Sequence, residues 1–162
     1  MDGIHMIVTC SLHDNSNVIK SHALLDCGAT AYAFIDEDFS RRDNFPLYCL
    51  HTPRTLHVID GRPSSSGAIT HITKACLRIR EHQEDIPMLV TKLGQYPIVL
   101  GIPCLRRHDV RLHCATNKVT FSSKYCSKNT ASSNRSLYFV PYQSHHRSRS
   151  TSAKNQTCIL DI

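Results

Sequence analysis

The segment with the clearest capacity for chemistry is residues 23–30, which read ALLDCGAT. Three apolar residues lead to Asp26, and burying an unpaired carboxylate is costly. An acid at the exit of a buried strand therefore needs hydrogen-bond donors or a chemical role. Gly28, two positions later, indicates a tight turn where backbone segments approach each other. The segment predicts a carboxylate held at the tip of a rigid loop; a buried strand that ends in a structural Asp-Gly turn is the alternative.

The elements around this loop are predicted to be mainly strands. Alternating apolar residues predict a strand over 4–12, a polar turn follows, and a returning strand over 18–25 delivers Asp26 to its loop. Residues 31–35 are apolar and aromatic. The acidic residues that follow suit the start of a short helix over 36–42, where they form a solvated face rather than a second catalytic carboxylate.

A long hairpin is predicted in the middle of the chain. Residues 43–53 read as extended surface chain, 54–59 and 68–79 as two strands, and 60–67 as a Gly/Ser/Pro-rich tip. The tip is either a mobile arm or an ordinary exposed loop. Residues 81–85 predict a polar turn before a strand that begins at 86–90.

A second motif occurs at residues 96–105, which read YPIVLGIPCL. Ile98, Val99 and Leu100 predict a buried strand that stops at Gly101, and a proline then starts a short helix that runs through His108. A small hairpin over 111–121 follows.

Together these motifs resemble the retropepsin-like aspartic proteases, in particular the protease segment of gypsy-class LTR retrotransposon Gag-Pol polyproteins. The resemblance covers residues 4–121, where the motifs occur in the family's order. It implies an all-β fold, a closed barrel or sandwich of one acid-protease lobe with one or two short helices and a flap hairpin. It also implies the roles of four residue sets. The catalytic residue is Asp26; the active-site loop adds Cys27, Gly28, Ala29 and Thr30; the flap and substrate-binding residues are Ile59, Asp60, Gly61, Ser65, Ser66 and Gly67; the second signature is Ile98, Val99, Leu100 and Gly101.

Two positions depart from the family pattern. Cys27 stands where most members carry Ser or Thr, and Cys104 lies where gypsy-class relatives place Trp nearby. In the family, the hydroxyl at the first position braces the two catalytic loops across a dimer axis. A thiol is a weaker hydrogen-bonding group, so weaker bracing is expected here.

The resemblance implies an aspartic endopeptidase that cuts polypeptide, including its own polyprotein. Two carboxylates must share a proton for this chemistry, and Asp60-Gly61 lacks the strand and the Ala-Thr that would make it a second copy of the loop. A homodimer is therefore expected. A catalytically decayed module that dimerises or binds peptide, or a nucleic-acid-associated fragment, are the alternatives.

Composition gives the domain division and the remaining partners. Residues 1–126 are predicted as the protease domain and 127–162 as a disordered, Ser-rich tail with five of the 19 basic residues and one of the 13 acidic residues. The tail favours at most weak RNA contact. Without an apolar run of spanning length or a secretory layout, no membrane contact or secretion is expected, and the setting is cytoplasmic, with a virus-like particle or the nucleus as alternatives.

Cysteine usage predicts free thiols and no cofactor. The chain has eight cysteines and no Cys-x-x-Cys pair. Four residues could suggest zinc, but they lack finger or knuckle spacing, so no metal site is predicted. They are Cys104, His108, His113 and Cys114.

Overall fold

The computed structural model describes residues 5–13, 17–58, 60–128 and 137–138. The predicted flap residue Ile59 lies outside the described residues, as does most of the predicted tail. The division at residue 126 and the disorder of 127–162 therefore stay predictions.

Seven strands form one sheet that closes on itself. They are β1 (Ile7–His13), β2 (Val18–Asp26), β3 (Ala33–Asp36), β4 (Tyr48–Arg54), β5 (Ile69–Ile79), β6 (His82–Thr91) and β7 (Ile98–Gly101). Their order is β1-β2-β7-β3-β6-β5-β4, and β1 also pairs with β5. The second pairing joins the two ends of a six-strand ring; β1 pairs with residues 76–78 of β5, and β4 pairs with residues 69–72 on the same edge. The result is a closed barrel, as the sequence predicted.

A small second sheet and three short helices complete the described chain. The helices are α1 (Glu37–Arg42), α2 (Ile102–Arg107) and α3 (Lys124–Lys128), and the second sheet contains β8 (Val110–His113), β9 (Lys118–Phe121) and β10 (Leu137–Tyr138). In this sheet β9 lies between the other two strands. Among the described residues, no helix has the length and apolar character needed to cross a membrane.

A side chain caps the N-terminus of α1. Asp36 is its N-cap, and Asp36 Oδ1 accepts a hydrogen bond from the Phe39 N–H at 3.0 Å. The other oxygen accepts the Leu93 N–H at 2.9 Å, so one carboxylate joins the helix to the segment after β6. Asp36 is therefore a half-buried capping group and not part of a solvated helix face, whereas Asp38 is exposed.

The core has two hydrophobic clusters. The larger one fills the barrel with residues from β1, β2, β3, β5, β6 and β7, including Leu12, Ile35 and Leu100 at 0% exposure. The smaller one contains six buried side chains and is bordered by residues of both the Asp26 loop and the chain after β4. Its members are Ile7, Phe34, Ile69, Leu89, Tyr96 and Val99.

Two predicted elements were misplaced. Residues 54–59 were predicted as a strand, but β4 covers Tyr48–Arg54, within the segment read as extended surface chain. Pro53 fits there because β4 is an edge strand, where a missing N–H is tolerated.

The predicted polar turn over 81–85 was also wrong. The turn occupies only residues 80–81, and β6 already begins at His82. Burial alternates along β6, so His82 and Glu84 point into the protein with Ile86 and Met88. Their polarity suggested a surface, whereas their period-two spacing places them on the inner face.

Candidate active site

Asp26 is the last residue of β2, and its backbone lies beside Gly101, the last residue of β7. The two strands run parallel, with Leu25 opposite Leu100 and Asp26 opposite Gly101. Both predicted motifs, which are distant in sequence, therefore end at the same edge of the barrel. β7 is buried along its length and β2 buries Ala23 and Leu25, whereas Asp26 is left partly exposed.

A local hydrogen bond orients the Asp26 side chain. Asp26 Oδ1 accepts the Gly28 N–H at 2.8 Å, and the Ala29 N–H donates to the Asp26 carbonyl at 3.3 Å. A Cβ at Gly28 would lie 3.2 Å from Asp26 Oδ1, tighter than an ordinary contact. Gly28 therefore lets the loop turn closely around the carboxylate.

The loop is fixed against β7 at Gly101. The Gly101 N–H donates to the Tyr32 carbonyl at 3.0 Å, and the Ile102 N–H donates to the Ala29 carbonyl at 2.8 Å. A Cβ at Gly101 would lie 2.0 Å from the Ala31 carbonyl oxygen and 2.8 Å from the Ala29 carbonyl oxygen. Both neighbours are backbone atoms, so no side chain fits at Gly101 while the loop holds this shape.

The other predicted loop residues lie on the outside of this turn. Cys27, Gly28 and Thr30 are exposed, whereas Ala29 is half-buried and packs against the smaller hydrophobic cluster. Cys27 is a free thiol. An exposed thiol next to Asp26 is available for contact with a second copy of this loop.

The predicted flap is a small hairpin that stands beyond β4. The Ser64 N–H donates to the Leu56 carbonyl at 2.7 Å, and the Val58 N–H donates to the Arg62 carbonyl at 2.9 Å. Asp60 and Gly61 form its turn, where Gly61 has φ +81° and the Arg62 Nε donates to Asp60 Oδ2 at 2.7 Å.

A second turn returns the chain from this hairpin to β5. Ser65, Ser66 and Gly67 lie in it, the Gly67 N–H donates to the Ser64 carbonyl at 3.2 Å, and the Ser66 hydroxyl donates to the Lys92 carbonyl at 3.2 Å. Leu56, at the base of the hairpin, borders the same hydrophobic cluster as Ala29. The flap base and the Asp26 loop are thus supported by one set of buried side chains.

A buried polar network that the sequence did not reveal lies behind the loop. The Tyr32 hydroxyl donates to Glu84 Oε1 and Oε2, at 3.0 and 3.1 Å, and His108 Nε2 lies 2.7 Å from Glu84 Oε1. The Tyr125 hydroxyl also reaches Glu84 Oε2, at 3.4 Å. Tyr32 thus connects the end of the Asp26 loop to β6 and to the residue that ends α2.

The surroundings of Glu84 determine its charge. Burial by itself raises the pKa of this carboxyl, but its interactions with His108, His82 and Tyr32, in that order, lower it to about 2. Burial, followed by the charges of Cys104 and Glu84, raises the pKa of the Tyr32 hydroxyl. Glu84 is thus an ionised acceptor and Tyr32 a neutral donor. In the sequence, the period-two spacing of residues 82, 84, 86 and 88 could have identified Glu84 as an inward-facing residue.

Comparison with protein families gives one match that covers two thirds of the chain. Residues 22–130 match the family model described as the PEG10/RTL1 protease domain. This range includes the Asp26 loop, the flap hairpin and the β7 signature. The gypsy-class polyprotein context expected from the sequence remains a hypothesis.

Solved structures of retroviral protease type share the fold. The retroviral protease-like domain of Ddi1 from Leishmania major is similar, with a TM-score of 0.51 and 13% identity over 86% of this chain and 96% of that one. The EIAV protease, solved in complex with an inhibitor, is similar with a TM-score of 0.50 and 15% identity over 69% of this chain and 95% of that one. The predicted retropepsin-like barrel is confirmed.

Proposed function

Because the chain belongs to the PEG10/RTL1 protease domain family, we propose that it is an aspartic endopeptidase that acts as a homodimer. Each chain contributes one Asp26 to a carboxylate pair at the two-fold axis. The substrate is a polypeptide, with the polyprotein that contains this domain as the first candidate.

The placement of the Asp26 carboxylate is the observation that carries this proposal. It is partly exposed at the barrel edge, oriented by the Gly28 N–H, and held by a loop that two backbone hydrogen bonds fix to β7. A purely structural Asp-Gly turn would also need the hydrogen bond from the Gly28 N–H. It would not need a partly exposed carboxylate next to the exposed thiol of Cys27. General acid–base chemistry requires a catalytic group that is already held in position for the reacting atoms.

Two such carboxylates divide the work of hydrolysis. One ionised carboxylate takes a proton from the attacking water, while the protonated partner donates a hydrogen bond to the scissile carbonyl. The shared proton belongs to the pair rather than to either residue. A monomer has one copy of the loop, so activity per chain should rise with concentration until the dimer is saturated.

The flap hairpin is the proposed cover of the substrate. Asp60, Gly61 and Val58 are exposed at its turn. At its base, Leu56 packs against the hydrophobic cluster that Ala29 of the Asp26 loop also borders. An exposed hairpin on a packed base can bend over an extended peptide and donate or accept its backbone hydrogen bonds.

Peptide cleavage by the Asp26→Asn variant tests the proposal. We expect the wild-type chain to cleave a mixed peptide library at acid to neutral pH, with inhibition by a statine-type inhibitor, and the variant to lose this activity. Asn keeps the size of the side chain and its ability to accept the Gly28 N–H. Asp38→Asn, an exposed acid on α1, is the matched control and should retain full turnover.

Sedimentation of the same proteins separates loss of chemistry from loss of assembly. The Asp26→Asn variant should still dimerise. Retained cleavage in this variant would refute the assignment of Asp26. Absence of cleavage in the wild type, with dimerisation intact, would favour the decayed peptide-binding module instead, for which the Cys27 substitution is the structural basis.

A further inference from the structure

Three potential metal ligands meet in the buried region between β6, α2 and α3. They are His82 at the start of β6, His108 at the end of α2, and Cys126 in α3. One ligand atom from each lies within 4.8 Å of the other two, and all three side chains are buried. We refer to these residues as the His-His-Cys cluster.

His82 is the unexplained member of this cluster. Its side chain is 7% exposed, and neither ring nitrogen has a hydrogen-bond partner among the described residues. The Glu84 Oε1 atom lies 3.8 Å from Nε2, beyond hydrogen-bonding distance. A buried polar group without a partner destabilises the folded state, so its retention requires a compensating interaction.

His108 is oriented as a ligating histidine would be. Its Nε2 lies 2.7 Å from Glu84 Oε1, so the tautomer with the proton on Nε2 donates to that carboxylate. The lone pair of Nδ1 then faces Cys126 Sγ at 3.1 Å. In metal sites, a carboxylate that accepts one N–H of a histidine orients the ring so that its other nitrogen can bind the metal. Here that other nitrogen faces a thiol.

We propose that the His-His-Cys cluster binds one Zn²⁺ through His82, His108 Nδ1 and Cys126 Sγ. Zinc takes nitrogen and thiolate ligands at about 2.0–2.1 and 2.3 Å, which small rotations of these side chains allow. Binding forms two Zn–N bonds and one Zn–S bond, and the Cys126 thiol releases its proton to solvent. A water molecule completes the tetrahedron, and Glu84 stays hydrogen-bonded to His108 outside it.

A second nearby triad is less suited to the metal. Glu84, Cys104 and His108 also have ligand atoms within 4.8 Å. Glu84 is already the acceptor for His108 Nε2 and for Tyr32, so zinc there would replace satisfied hydrogen bonds. In the His-His-Cys cluster, zinc replaces the contact of His108 Nδ1 with Cys126 Sγ but gains one ring nitrogen of His82, for which no hydrogen-bond partner lies within bonding distance among the described residues. Cys104 is therefore a control and not a ligand.

The proposed ion has a structural role independent of peptide hydrolysis. It would join β6, the end of α2 and α3, so it would hold α3 on the barrel. Because Tyr32 contacts Glu84, the same ion would stiffen the support behind the Asp26 loop. We expect Zn²⁺ to raise the unfolding temperature of the full chain by several degrees, since a ligand of the folded state stabilises it by mass action.

Metal titration of the full-length chain tests the site. After chelation and buffer exchange, we expect equilibrium dialysis to give one tightly held Zn²⁺ per chain and Co²⁺ to give thiolate charge-transfer and tetrahedral d–d absorption. His82→Phe and Cys126→Ser should each lose the Co²⁺–thiolate band and the zinc-dependent shift in unfolding temperature. His82→Phe removes no hydrogen bond within bonding distance and keeps a buried ring, so its metal-free unfolding temperature should stay near that of the wild type.

Two matched controls separate this site from other thiols and imidazoles. Cys104→Ser, in the second triad, and Cys114→Ser, an exposed thiol, should keep the zinc-dependent shift. A wild-type chain that gains no stability from Zn²⁺ would overturn the proposal. Retention of the shift in either ligand variant, or its loss in Cys104→Ser, would overturn the ligand assignment. Should His82→Phe fail to fold, Cys126→Ser decides alone.

Discussion

Replacing Gly101 by alanine should break the lock between the Asp26 loop and β7. The new Cβ would meet the Ala31 carbonyl oxygen at 2.0 Å and the Ala29 carbonyl oxygen at 2.8 Å, so backbone must move. Gly101 has φ −89°, an ordinary value for alanine, so left-handed strain contributes nothing. The whole effect is therefore steric.

The magnitude follows from the contacts that the movement disrupts. Overpacking a closely packed site costs about 1–3 kcal/mol. Two backbone hydrogen bonds, from Gly101 to Tyr32 and from Ile102 to Ala29, would also be strained or lost, at about 1 kcal/mol each. We expect the free energy of unfolding to fall by about 3–5 kcal/mol, together with loss of peptidase activity.

Urea-induced unfolding measures this change, with Gly94→Ala as the control. Gly94 has φ +76° and no heavy atom within 4 Å of an added Cβ, so only backbone strain of about 1–2 kcal/mol is expected there. If the contact at Gly101 were relieved without cost, alanine would be neutral or stabilise by about 0.4–1 kcal/mol through the unfolded state. A Gly101→Ala variant as stable as Gly94→Ala would refute the described lock.

Three further changes test the loop, the helix cap and the tail. Cys27→Ser should lower the dimer dissociation constant about fivefold, because one stronger axial hydrogen bond adds about 1 kcal/mol; an unchanged constant in sedimentation equilibrium would contradict loop bracing. Asp36→Ala should lower the free energy of unfolding by about 2 kcal/mol, since Asp36 caps α1 and accepts the Leu93 N–H, whereas exposed Asp38→Ala should change it by less than about 0.5 kcal/mol. Deletion of 129–162 should cost no more than about 1 kcal/mol, because the part of this segment that the structure describes, β10, pairs two residues with β9; a larger drop in chemical denaturation would extend the folded unit.

The sequence predicted the parts of the fold that depend on local patterns. Alternation predicted the β1–β2 hairpin, and the apolar run before Gly101 predicted β7, since each pattern is set by neighbours along the chain. The acidic residues before α1 predicted its start, and the structure adds the cap at Asp36. The Asp26 loop was predicted because a carboxylate followed by glycine is a constrained combination.

The sequence did not predict contacts that depend on partners far along the chain. Glu84 looked like a turn residue because its partners, Tyr32 and His108, are known only once β6 packs against the end of α2. The edge strand β4 was missed for a similar reason, since Pro53 is acceptable only where no further strand pairs. His82 carried no signal beyond its inward spacing.

The parallel pairing of β2 with β7 has a consequence for the time at which the site forms. Asp26 and Gly101 are neighbours in the barrel although most of the domain separates them in sequence. Closing so long a segment makes this pairing a slow, late event in folding. During synthesis, a chain that has not yet emerged past Ile102 has no anchor for the loop. The loop would therefore reach its final shape only when the domain is nearly complete, and under the proposed function a polyprotein that carries this domain would stay uncut until then.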